Sequence, residues 1–364
     1  MKINWKRGND SISYDRPSTW FSLGTRGSGK SSFLEHVAEK YLERGNGVFD
    51  LFGSRDGESL AWLRSPHVKD KKILLLKGEN VDVQSCYSVK SAESVTVQDF
   101  EQNDIVVSSS PLYLNMDQEF AYAAKLTDML YKRLFHNKLI FLVCREAANF
   151  YYSRLKVSDS QLYAKAQMTY LIREARHMGI ALGLDSIRFY AIDIDIRSLS
   201  DYLILKSQGV QGLSKDLKWL YRFVNPSLMR YMRPEQFVIV TNKGSIGYGV
   251  FPEISWHKRE RENILSDVGI KVEYGEVLRE SESKGAFRTV SDKEHCEMIR
   301  LYIEENLGFV KMGLRVSRSS ATTQKHVNIH NTLVRGSGFC TSCKRANGKY
   351  HDKVAERGQI LDTV

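Results

Sequence analysis

The stretch Gly24-Thr25-Arg26-Gly27-Ser28-Gly29-Lys30-Ser31 decides the fold of this chain. It matches the pattern G-x-x-x-x-G-K-[ST], in which glycines allow backbone N–H groups to turn inwards around phosphate oxygens. An apolar segment, Trp20–Gly24, precedes the pattern, and an amphipathic segment, Lys30–Arg44, follows it. Because a phosphate-binding loop requires this strand-loop-helix setting, the sequence predicts such a loop and not a glycine-rich turn of purely structural use.

Each residue type in the loop has a separate predicted role. Lys30 reaches the β and γ phosphates, the Ser31 hydroxyl ligates Mg²⁺, and the helix that begins here presents its positive end to the nucleotide. The predicted cofactors are therefore ATP and Mg²⁺. The residues predicted to bind the nucleotide are Gly24, Thr25, Arg26, Gly27, Ser28, Gly29, Lys30, Ser31, Ser32 and Asp50.

Outward from the loop, short apolar runs alternate with longer amphipathic stretches between residues 19 and 251, which predicts an α/β fold with a mostly parallel sheet. A charged segment from His257 to Glu282 is interpreted as a linker, so residues 1–283 and 284–364 are predicted to be separate domains. The predicted strands are Trp20–Gly24, Val48–Phe52, Ile73–Leu76, Ile105–Ser108, Leu139–Val143, Ile180–Leu184 and Phe237–Thr241. The predicted helices of this region include Lys30–Arg44, Gln118–Phe135 and Asn149–His177.

Composition and charge narrow the functional classes. Of the 364 residues, 42% are hydrophobic, which excludes wholesale disorder and a fibrous fold, and the formal net charge is +10. That charge indicates a polyanionic partner, either nucleic acid or an anionic membrane surface. The longest strongly apolar run, Leu139–Cys144, is far shorter than the roughly 20 residues of a membrane helix, and the first residues lead into no signal peptide. Five cysteines without a pairing pattern argue against a disulfide framework, so a soluble cytoplasmic protein is expected.

A nucleotide hydrolase of this class also needs carboxylates on neighbouring strands, one beside Mg²⁺ and one beside the attacking water. After the apolar run that ends at Cys144, Arg145 stands where the metal-binding Asp is usual, and Glu146 stands where the catalytic carboxylate is expected. Glu146 is therefore predicted to be catalytic, with an ordinary helix N-terminal acid as the alternative. Arg145 is expected to turn away from the metal or to pair with an acid. Asp50 and Asp104, which lie beside predicted strands, are the other acids available to the metal.

The strand end Asp50-Leu51-Phe52-Gly53, the Glu146 strand and the segment Arg173-Glu174-Ala175-Arg176-His177-Met178-Gly179-Ile180 together resemble the FtsK/HerA superfamily of P-loop ATPases. The resemblance spans approximately residues 15–250. It implies a RecA-like core, a homo-oligomeric ring, of which a hexamer is the expected form, and ATP-driven movement of DNA. It also implies that Arg173 or Arg176 contacts the nucleotide of a neighbouring subunit, with a solvated helix face as the alternative. The predicted catalytic residues are Lys30, Glu146, Arg173 and Arg176.

In the same family, polar sensor residues end the strand that follows the arginine-bearing helix. The residues here are Asp185-Ser186-Ile187-Arg188, whereas the family usually has Thr-Gln. At this strand end the resemblance therefore concerns the position and the role of the residues and not their identity.

The end of the chain is unusually basic. Three predicted helices, Lys293–Glu305, Val310–Val316 and Thr322–Leu333, have a tight turn before the third and resemble a winged-helix or helix-turn-helix DNA-binding module. Between residues 306 and 351 no Asp or Glu accompanies the basic residues Lys311, Arg315, Arg318, Lys325, Arg335, Lys344, Arg345 and Lys349. Ser319 or Ser320 is expected to cap the third helix. The residues expected to reach DNA are Thr322, Thr323, Gln324 and Lys325, whereas a solvated basic face is the alternative.

Two histidines and two cysteines of this region have the spacing of metal ligands. His326 and His330 are one helical turn apart, and Cys340 and Cys343 form a C-x-x-C turn. Two interpretations are open. These residues bind a structural Zn²⁺, with His351 able to replace either histidine, or they are phosphate-contacting histidines and free cysteines.

These patterns together predict an ATP-dependent DNA-binding motor that translocates, packages or remodels DNA. The alternative is a nucleotide-gated DNA-binding protein with little or no hydrolysis, which Arg145 favours and Glu146 disfavours. A P-loop kinase acting on a small molecule is a third interpretation, and the basic module and the lack of an evident lid segment count against it.

Overall fold

The computed structural model describes residues 1–54, 56–131, 138–150, 152, 159–192, 197–274, 290–316, 318, 320–343 and 345–346. The chain divides into two compact units, Met1–Val277 and Leu278–Val364. The predicted domain boundary between residues 283 and 284 lies outside the described residues and stays a prediction. Within the described ranges, no helix combines the length and the apolar character needed to cross a bilayer.

A large mixed sheet dominates the first unit. The strands are β1 (Lys2–Arg7), β2 (Thr19–Leu23), β3 (Gly47–Phe52), β4 (Ile73–Lys77), β5 (Val81–Gln84), β6 (Ser88–Ser91), β7 (Ile105–Ser108), β8 (Ile140–Cys144), β9 (Ile180–Ser186), β10 (Tyr202–Leu205), β11 (Gln236–Thr241), β12 (Ile246–Val250) and β13 (Lys271–Tyr274). The order across the sheet is β1-β12-β11-β10-β2-β9-β8-β3-β7-β4-β6. From β10 to β6 every neighbouring pair is parallel, whereas β11, β12 and β1 continue the sheet antiparallel. Strands β5 and β13 form a separate antiparallel pair.

Helices cover the sheet on both faces. The α-helices of this unit are α1 (Lys30–Leu42), α2 (Val97–Gln102), α3 (Met116–Tyr131), α4 (Asp159–Glu174), α5 (Pro226–Tyr231) and α6 (Ile264–Asp267). The 3₁₀ helices are Glu58–Arg64, Pro66–Val68, Ser110–Leu112, Ala147–Asn149, Phe189–Ala191, Gly209–Gln211 and Lys215–Arg222. The predicted α/β class with a mostly parallel sheet is confirmed.

The central strands are buried on both faces, as expected for parallel strands between two helical layers. All residues of β2, β3 and β9 are buried. Consecutive residues of β2 point to opposite cores, because Trp20 packs with Phe33 of α1 on one face while Phe21 packs in the cluster that contains Leu126 and Leu171 on the other. This alternation explains the near-continuous apolar runs from which the strands were predicted.

Each predicted strand of the sheet is present within two residues of its expected ends, but the sheet also contains strands that the sequence did not indicate. Strand β10 is one of these, and it pairs parallel with β2 over four residues. β11 was predicted as a member of the sheet, and it runs antiparallel to β10.

The second unit contains α7 (Asp292–Ile303), α8 (Phe309–Arg315), α9 (Ser320–Ser337) and a short hairpin of β14 (Phe339–Cys340) and β15 (Arg345–Ala346). Ser291 and Glu294 form a capping box at the start of α7, since each side chain accepts a hydrogen bond from the other residue's backbone. The described buried apolar core consists of Met298, Ile299, Leu301, Ile303, Met312 and Val327. Ser319 lies outside the described residues, and Ser320 is the first residue of α9.

Candidate active site

The predicted phosphate-binding loop joins the carboxyl end of β2 to the first residue of α1. Gly27 and Gly29 have φ values of 71° and 81°, in the left-handed region that glycine occupies without strain. A side chain at Gly29 would place its Cβ 2.5 Å from the carbonyl oxygen of Pro234, so only glycine fits there. Left-handed turns of this kind form the concave arrangement of N–H groups that binds phosphate.

Lys30 is held inside the curve of this loop. It is only 8% exposed, and its Nζ donates a hydrogen bond to the carbonyl oxygen of Thr25 at 3.0 Å. The carbonyl of Ser207 anchors Thr25 in turn, accepting from its backbone N at 2.9 Å and from its Oγ1 at 3.1 Å. Ser28 is buried, and its hydroxyl has no hydrogen-bond partner among the described residues. A buried unsatisfied hydroxyl beside a lysine fits a site for phosphate oxygens. Arg26 is exposed at the tip of the loop, and Ser32 is half-buried.

Asp185 lies beside Ser31 at the carboxyl edge of the sheet. The Ser31 Oγ donates a hydrogen bond to Asp185 Oδ2 at 3.3 Å, and the backbone N of Glu146 donates to Asp185 Oδ1 at 2.5 Å. Burial raises the pKa of Asp185 to about 6, with the neighbouring carboxylates adding to the rise and the Lys30 ammonium opposing it. A hydroxyl next to a carboxylate supplies two hard oxygen donors, which is the chemistry that Mg²⁺ prefers.

Glu146 follows β8 directly and has an unusual backbone conformation. Its φ and ψ are 47° and 48°, in the left-handed region. For a residue other than glycine this costs on the order of 1 kcal/mol or more, and such strain is concentrated at functional positions. Glu146 is exposed while its backbone N is bound to Asp185. An exposed carboxylate at the edge of the sheet that carries the loop is placed where water can reach it.

Arg145 points away from this edge into the protein interior. It is 1% exposed, its Nε and Nη2 bond the carboxylate of Asp50 with a shortest distance of 2.6 Å, and its Nη2 also bonds Glu35 Oε1 at 2.9 Å. The expected pairing of Arg145 with acids is therefore confirmed. The expectation that Asp50 binds nucleotide or assists the metal is wrong, because its carboxylate is fully buried and bound by Arg145 and by Trp62 Nε1 at 3.1 Å. A carboxylate taken out of water needs a cation, and Arg145 supplies it.

Two further residues extend this ion pairing, and the five together are here named the Arg145 cluster: Glu35, Asp50, Glu58, Arg145 and His257. Arg145 Nη1 lies 3.0 Å from Glu58 Oε2, and His257 Nδ1 lies 2.7 Å from Glu35 Oε2. Burial alone would lower the pKa of His257, but the carboxylates of Glu35 and Glu58 together hold that pKa above its usual value. Because Glu35 is on α1, four residues after Ser31, the cluster ties the helix of the phosphate loop to β3 and β8.

The remaining acid considered from sequence, Asp104, lies at the other edge of the sheet. It precedes β7 and accepts hydrogen bonds from Lys138 Nζ at 2.7 Å and from Lys72 N at 3.1 Å. Since β2 and β7 run in the same direction, the amino end of β7 is at the edge opposite the phosphate loop. Asp104 therefore does not assist a metal at Ser31.

Arg173 and Arg176 also lie away from Lys30 within this chain. Both are exposed near the end of α4, and Arg176 donates to the carboxylate of Asp201. Asp201 Oδ2 accepts from the backbone N of Thr19 at 2.9 Å, which places this pair at the amino ends of β2 and β10. The length of β2 separates that edge from the phosphate loop, about 15 Å at 3.3 Å per residue. A role for either arginine towards a neighbouring subunit stays a prediction.

The exposed face of α9 carries several polar residues. Gln324, Lys325, Asn328 and Thr332 are exposed, and they line an open groove along the helix. Thr323, which was expected to reach DNA, is fully buried and donates to the carbonyl oxygens of Phe309 at 3.1 Å and Ser320 at 2.8 Å. The helical period explains the difference, because residue 323 shares the inward face with residues 327 and 330.

Part of the basic charge in the second unit is neutralised by ion pairs. Arg318 Nη2 lies 2.9 Å from Glu294 Oε2, and Arg315 is paired with Glu305. Lys311, Lys325 and Arg335 are exposed. Lys344 and Lys349 lie outside the described residues, and for Arg345 only the backbone is described. Among the described basic residues, those on the exposed surface of α9 are Lys325 and Arg335.

The predicted metal ligands of the second unit fall into two groups. His330, Cys340 and Cys343 come together, and His295 of α7 completes the cluster. His326 is not a member of this cluster, and its Nδ1 lies 3.1 Å from Nδ1 of His295. The expectation of His326 as a ligand is thereby corrected, since its ring lies behind His295. His351 lies outside the described residues.

Asp185 and His295 are the functional candidates that sequence reasoning did not single out. Asp185 was noted only at the position of a sensor, although an acid at the end of the strand following the Glu146 strand was a usable signal. His295 is 45 residues before Cys340, and no spacing rule joins a histidine to a C-x-x-C turn over such a distance.

No family model and no curated protein matches the chain. Among solved structures it is similar to the genome packaging NTPase B204 from Sulfolobus turreted icosahedral virus 2 in complex with ATPγS, at 15% identity and a TM-score of 0.39, covering 65% of this chain and 98% of that chain. It is also similar to the monomeric pCW3 conjugation coupling protein TcpA with ATPγS, at 14% identity and a TM-score of 0.39, covering 68% of this chain and 65% of that chain. A third similar structure is EccC of Thermomonospora curvata, at 13% identity and a TM-score of 0.38, covering 66% of this chain and 38% of that chain. At these identities the similarities concern the fold alone.

Proposed function

We propose that this protein is a P-loop ATPase that uses ATP hydrolysis to move, package or remodel DNA, in the manner of the FtsK/HerA type. The observation that carries the proposal is one edge of the sheet, where Lys30 in the glycine loop, the hydroxyl–carboxylate pair of Ser31 and Asp185, and the exposed Glu146 come together. These are a cation for phosphates, oxygen donors for a metal and a carboxylate for water, which are the parts that phosphoryl transfer to water requires.

Mg²⁺ fits the residues present. Ser31 and Asp185 would hold it, since their oxygens are hard donors 3.3 Å apart and burial excludes competing water from Asp185. When bound, Mg²⁺ supplies neutralisation of the phosphate charge. Lys30 neutralises the β and γ oxygens, the loop amides orient them, and Glu146 orients a water and accepts its proton. Asp185 accepts a hydrogen bond from the backbone N of Glu146. This bond keeps the carboxylate proposed for the metal and the carboxylate proposed for the water in fixed positions relative to each other.

DNA is the proposed cargo because the second unit offers a basic, polar helix face. Residues 284–364 carry 14 Lys and Arg against 8 Asp and Glu. Lys325 on α9 is placed to contact phosphates, and Gln324 and Asn328 are placed to contact base edges, as a recognition helix does. The helix-turn-helix role of α8 and α9 is part of the proposal.

We further propose a homo-oligomeric ring, with a hexamer as the expected form, in which Arg173 or Arg176 of one subunit approaches the nucleotide of the next. Both side chains are exposed near the end of α4, which is compatible with a subunit contact. The cytoplasm is the proposed location, because the five cysteines form no disulfide and ATP and DNA are available there.

A second candidate function, a nucleotide-gated DNA-binding protein with slow hydrolysis, is favoured by one observation. The residue that directly precedes Glu146 is a buried arginine, so the end of β8 lacks the usual metal-side acid and the pair of Ser31 and Asp185 is the candidate for the metal. The raised pKa of Asp185 would leave part of the population protonated near neutral pH.

Steady-state ATP turnover with and without duplex DNA separates the two functions. A motor is expected to show turnover that rises when DNA is added, and Lys30→Ala should lose tight ATP binding in an equilibrium titration. Glu253→Gln, which changes an exposed acid on the loop after β12, is the matched control. Tight binding of ATP with negligible turnover in either condition would favour the gated binding protein, and no binding of ATP at all would contradict both.

A further inference from the structure

Four buried side chains of the second unit form a cluster with the composition of a metal site. His295, His330, Cys340 and Cys343 are all buried, and one ligand atom from each lies within 4.8 Å of the others. Cys340 Sγ lies 3.4 Å from His295 Nε2, and Cys343 Sγ lies 3.4 Å from His330 Nδ1. Two thiols and two imidazoles form one of the donor sets that binds Zn²⁺ in structural sites.

The distances fit a tetrahedron. With Zn–S near 2.3 Å and Zn–N near 2.0 Å, the edges of a tetrahedral Cys₂His₂ site are about 3.3–3.8 Å. The two measured sulfur–nitrogen distances of 3.4 Å fall in that range, and the 4.8 Å limit on the whole set needs only small side-chain adjustment. Soft thiolates combined with imidazoles select Zn²⁺ over Mg²⁺ and Ca²⁺, which prefer oxygen.

The fold brings these ligands from three different elements. His295 is on the first turn of α7, His330 is on α9, and the cysteines lie in the hairpin of β14 and β15. A histidine that binds a metal through one ring nitrogen commonly hydrogen-bonds through the other, which fixes its ring. His295 has this arrangement, because its Nε2 faces Cys340 while its Nδ1 lies 3.1 Å from Nδ1 of His326. His326 is thus a positioning residue and His295 a ligand.

The second unit has a small apolar core, so a metal ion that joins its elements would stabilise it. Its described apolar core is limited to Met298, Ile299, Leu301, Ile303, Met312 and Val327, with a few partly buried neighbours. The unit spans 87 residues, close to the size of roughly 80 below which a single core rarely gives more than a few kcal/mol and domains commonly add a metal or disulfides. The described cysteines form no disulfide.

We propose that His295, His330, Cys340 and Cys343 bind one structural Zn²⁺ that joins α7, α9 and the terminal hairpin. The ion lies on the buried side of α9, whereas Gln324, Lys325 and Asn328 are on its exposed side. Zinc binding therefore fixes the orientation of the face proposed to read DNA without touching it. This site is independent of the nucleotide chemistry in the first unit.

Metal content of the full-length chain tests the proposal directly. Protein purified without chelator is expected to contain about one zinc per chain by mass spectrometry of metals, retained through gel filtration. After removal of zinc with a chelator, added Co²⁺ is expected to give the visible absorption of a tetrahedral site together with a thiolate-to-cobalt charge-transfer band. A chain that holds less than about a tenth of an equivalent of zinc, and gives no cobalt spectrum, would overturn the proposal.

Variants identify the ligands. His295→Ala and Cys343→Ser are each expected to lower zinc content at least tenfold, whereas His326→Ala is expected to keep stoichiometric zinc and the thiolate band. Cys86→Ser, which changes an exposed cysteine of the first unit, is the matched control and should keep full zinc. ATP binding by each variant serves as the check that the first unit is folded. Loss of zinc in His326→Ala with retention in His295→Ala would overturn the ligand set.

Discussion

Ser31 and Asp185 are separated by 154 positions in the chain, yet the hydroxyl of Ser31 lies 3.3 Å from Oδ2 of Asp185. An acid beside the Ser31 hydroxyl therefore comes from β9, the strand next to β2, which leads into the predicted phosphate loop. The position that usually carries this acid, directly before Glu146 at the end of β8, is occupied by the inward-pointing Arg145. The carboxylates proposed for the metal and for the water thus belong to adjacent strands, and the hydrogen bond from the Glu146 backbone N to Asp185 joins them.

Asp185→Asn is expected to weaken the Mg²⁺ dependence of nucleotide binding, because an amide oxygen lacks the charge of the carboxylate. We expect the Mg²⁺ concentration for half-maximal ATP turnover to rise at least tenfold, while binding of ATP without Mg²⁺ changes little. Asp201→Asn, at the opposite edge of the sheet, is the control. Unchanged Mg²⁺ dependence in Asp185→Asn would remove Asp185 from the metal site.

The same residue predicts a pH dependence. Since the pKa of Asp185 is about 6 and a metal binds the ionised carboxylate, protons compete with Mg²⁺ below that pH. The Mg²⁺ concentration for half-maximal turnover in the parent protein should rise about tenfold for each pH unit below 6 and stay level above 7. Titrations of Mg²⁺ at several pH values measure this, and a flat profile from pH 5 to 7 would be inconsistent with the assignment.

Glu146→Gln is expected to lower ATP turnover by roughly a hundredfold or more, the scale associated with loss of a general base. Nucleotide binding should remain intact, because Glu146 is exposed and contacts the Asp185 carboxylate only through its backbone. Single-turnover hydrolysis and equilibrium ATP titration distinguish the two effects. Turnover at the parent rate would mean that another acid activates the water.

Arg145→Met is expected to destabilise the first unit by about 3–5 kcal/mol, because it leaves Asp50 buried without its cation and Glu35 paired with His257 alone. Chemical denaturation of the full chain measures this. The matched control is Arg44→Met, since Arg44 is paired with Asp15 on the surface and such exposed pairs contribute about 0–1 kcal/mol. Equal losses of unfolding free energy in both variants would show that the buried ion pairs of Arg145 stabilise the protein no more than an exposed pair does.

His257 predicts how stability changes between pH 6 and pH 8. Its pKa is raised by Glu35 and Glu58 in spite of burial, so its contribution is fully present below the usual histidine pKa of about 6.5 and is lost as pH rises through the raised value. The difference in unfolding free energy between the parent and His257→Asn should therefore be larger at pH 6 than at pH 8. Thermal unfolding in matched buffers measures it, and a difference that grows with pH would have the wrong sign.

Lys325→Ala and Gln324→Ala are expected to change DNA binding in different ways. If Lys325 contacts a phosphate, its loss should reduce the slope of log affinity against log salt by about 0.9. Gln324→Ala should leave that slope unchanged and alter the preference among DNA sequences. Lys40→Ala, which removes the same charge from α1 of the first unit, is the control. Identical salt slopes in Lys325→Ala and the parent would exclude a phosphate contact at Lys325.

The parts of the fold that could be predicted from sequence are those that a local sequence pattern determines. The phosphate loop is a contiguous motif, and the central strands are continuous apolar runs because both of their faces are buried. The antiparallel strands β1 and β12 were not indicated, since β1 is largely exposed and β12 contains glycines. Strand β12 forms by pairing with β11, and β1 forms by pairing with β12, which no local pattern encodes.

The candidate site likewise contains residues that a local motif indicates and residues that only the tertiary fold brings together. Lys30, Ser31 and Glu146 were predicted from their motifs, and their roles stay predictions. The predicted role of Asp50 was wrong, because whether an acid at a strand end faces a ligand or a buried arginine depends on tertiary packing. Asp185 was missed as the partner of Ser31 for the converse reason, since only the strand order brings β9 beside β2.

The Arg145 cluster restricts how this site can change by mutation. Replacing Arg145 alone with the usual Asp would remove the cation from Asp50 and Glu35 and add another acid beside them. Replacing the acids first would leave a buried guanidinium without partners. The usual Asp is therefore reachable only through concerted substitutions on α1, β3 and β8, which is epistasis among residues distant in sequence. A protein that carries the Arg145 cluster therefore keeps it when substitutions occur one at a time. Substitutions that change the proposed metal-side acid then occur at Asp185 on β9.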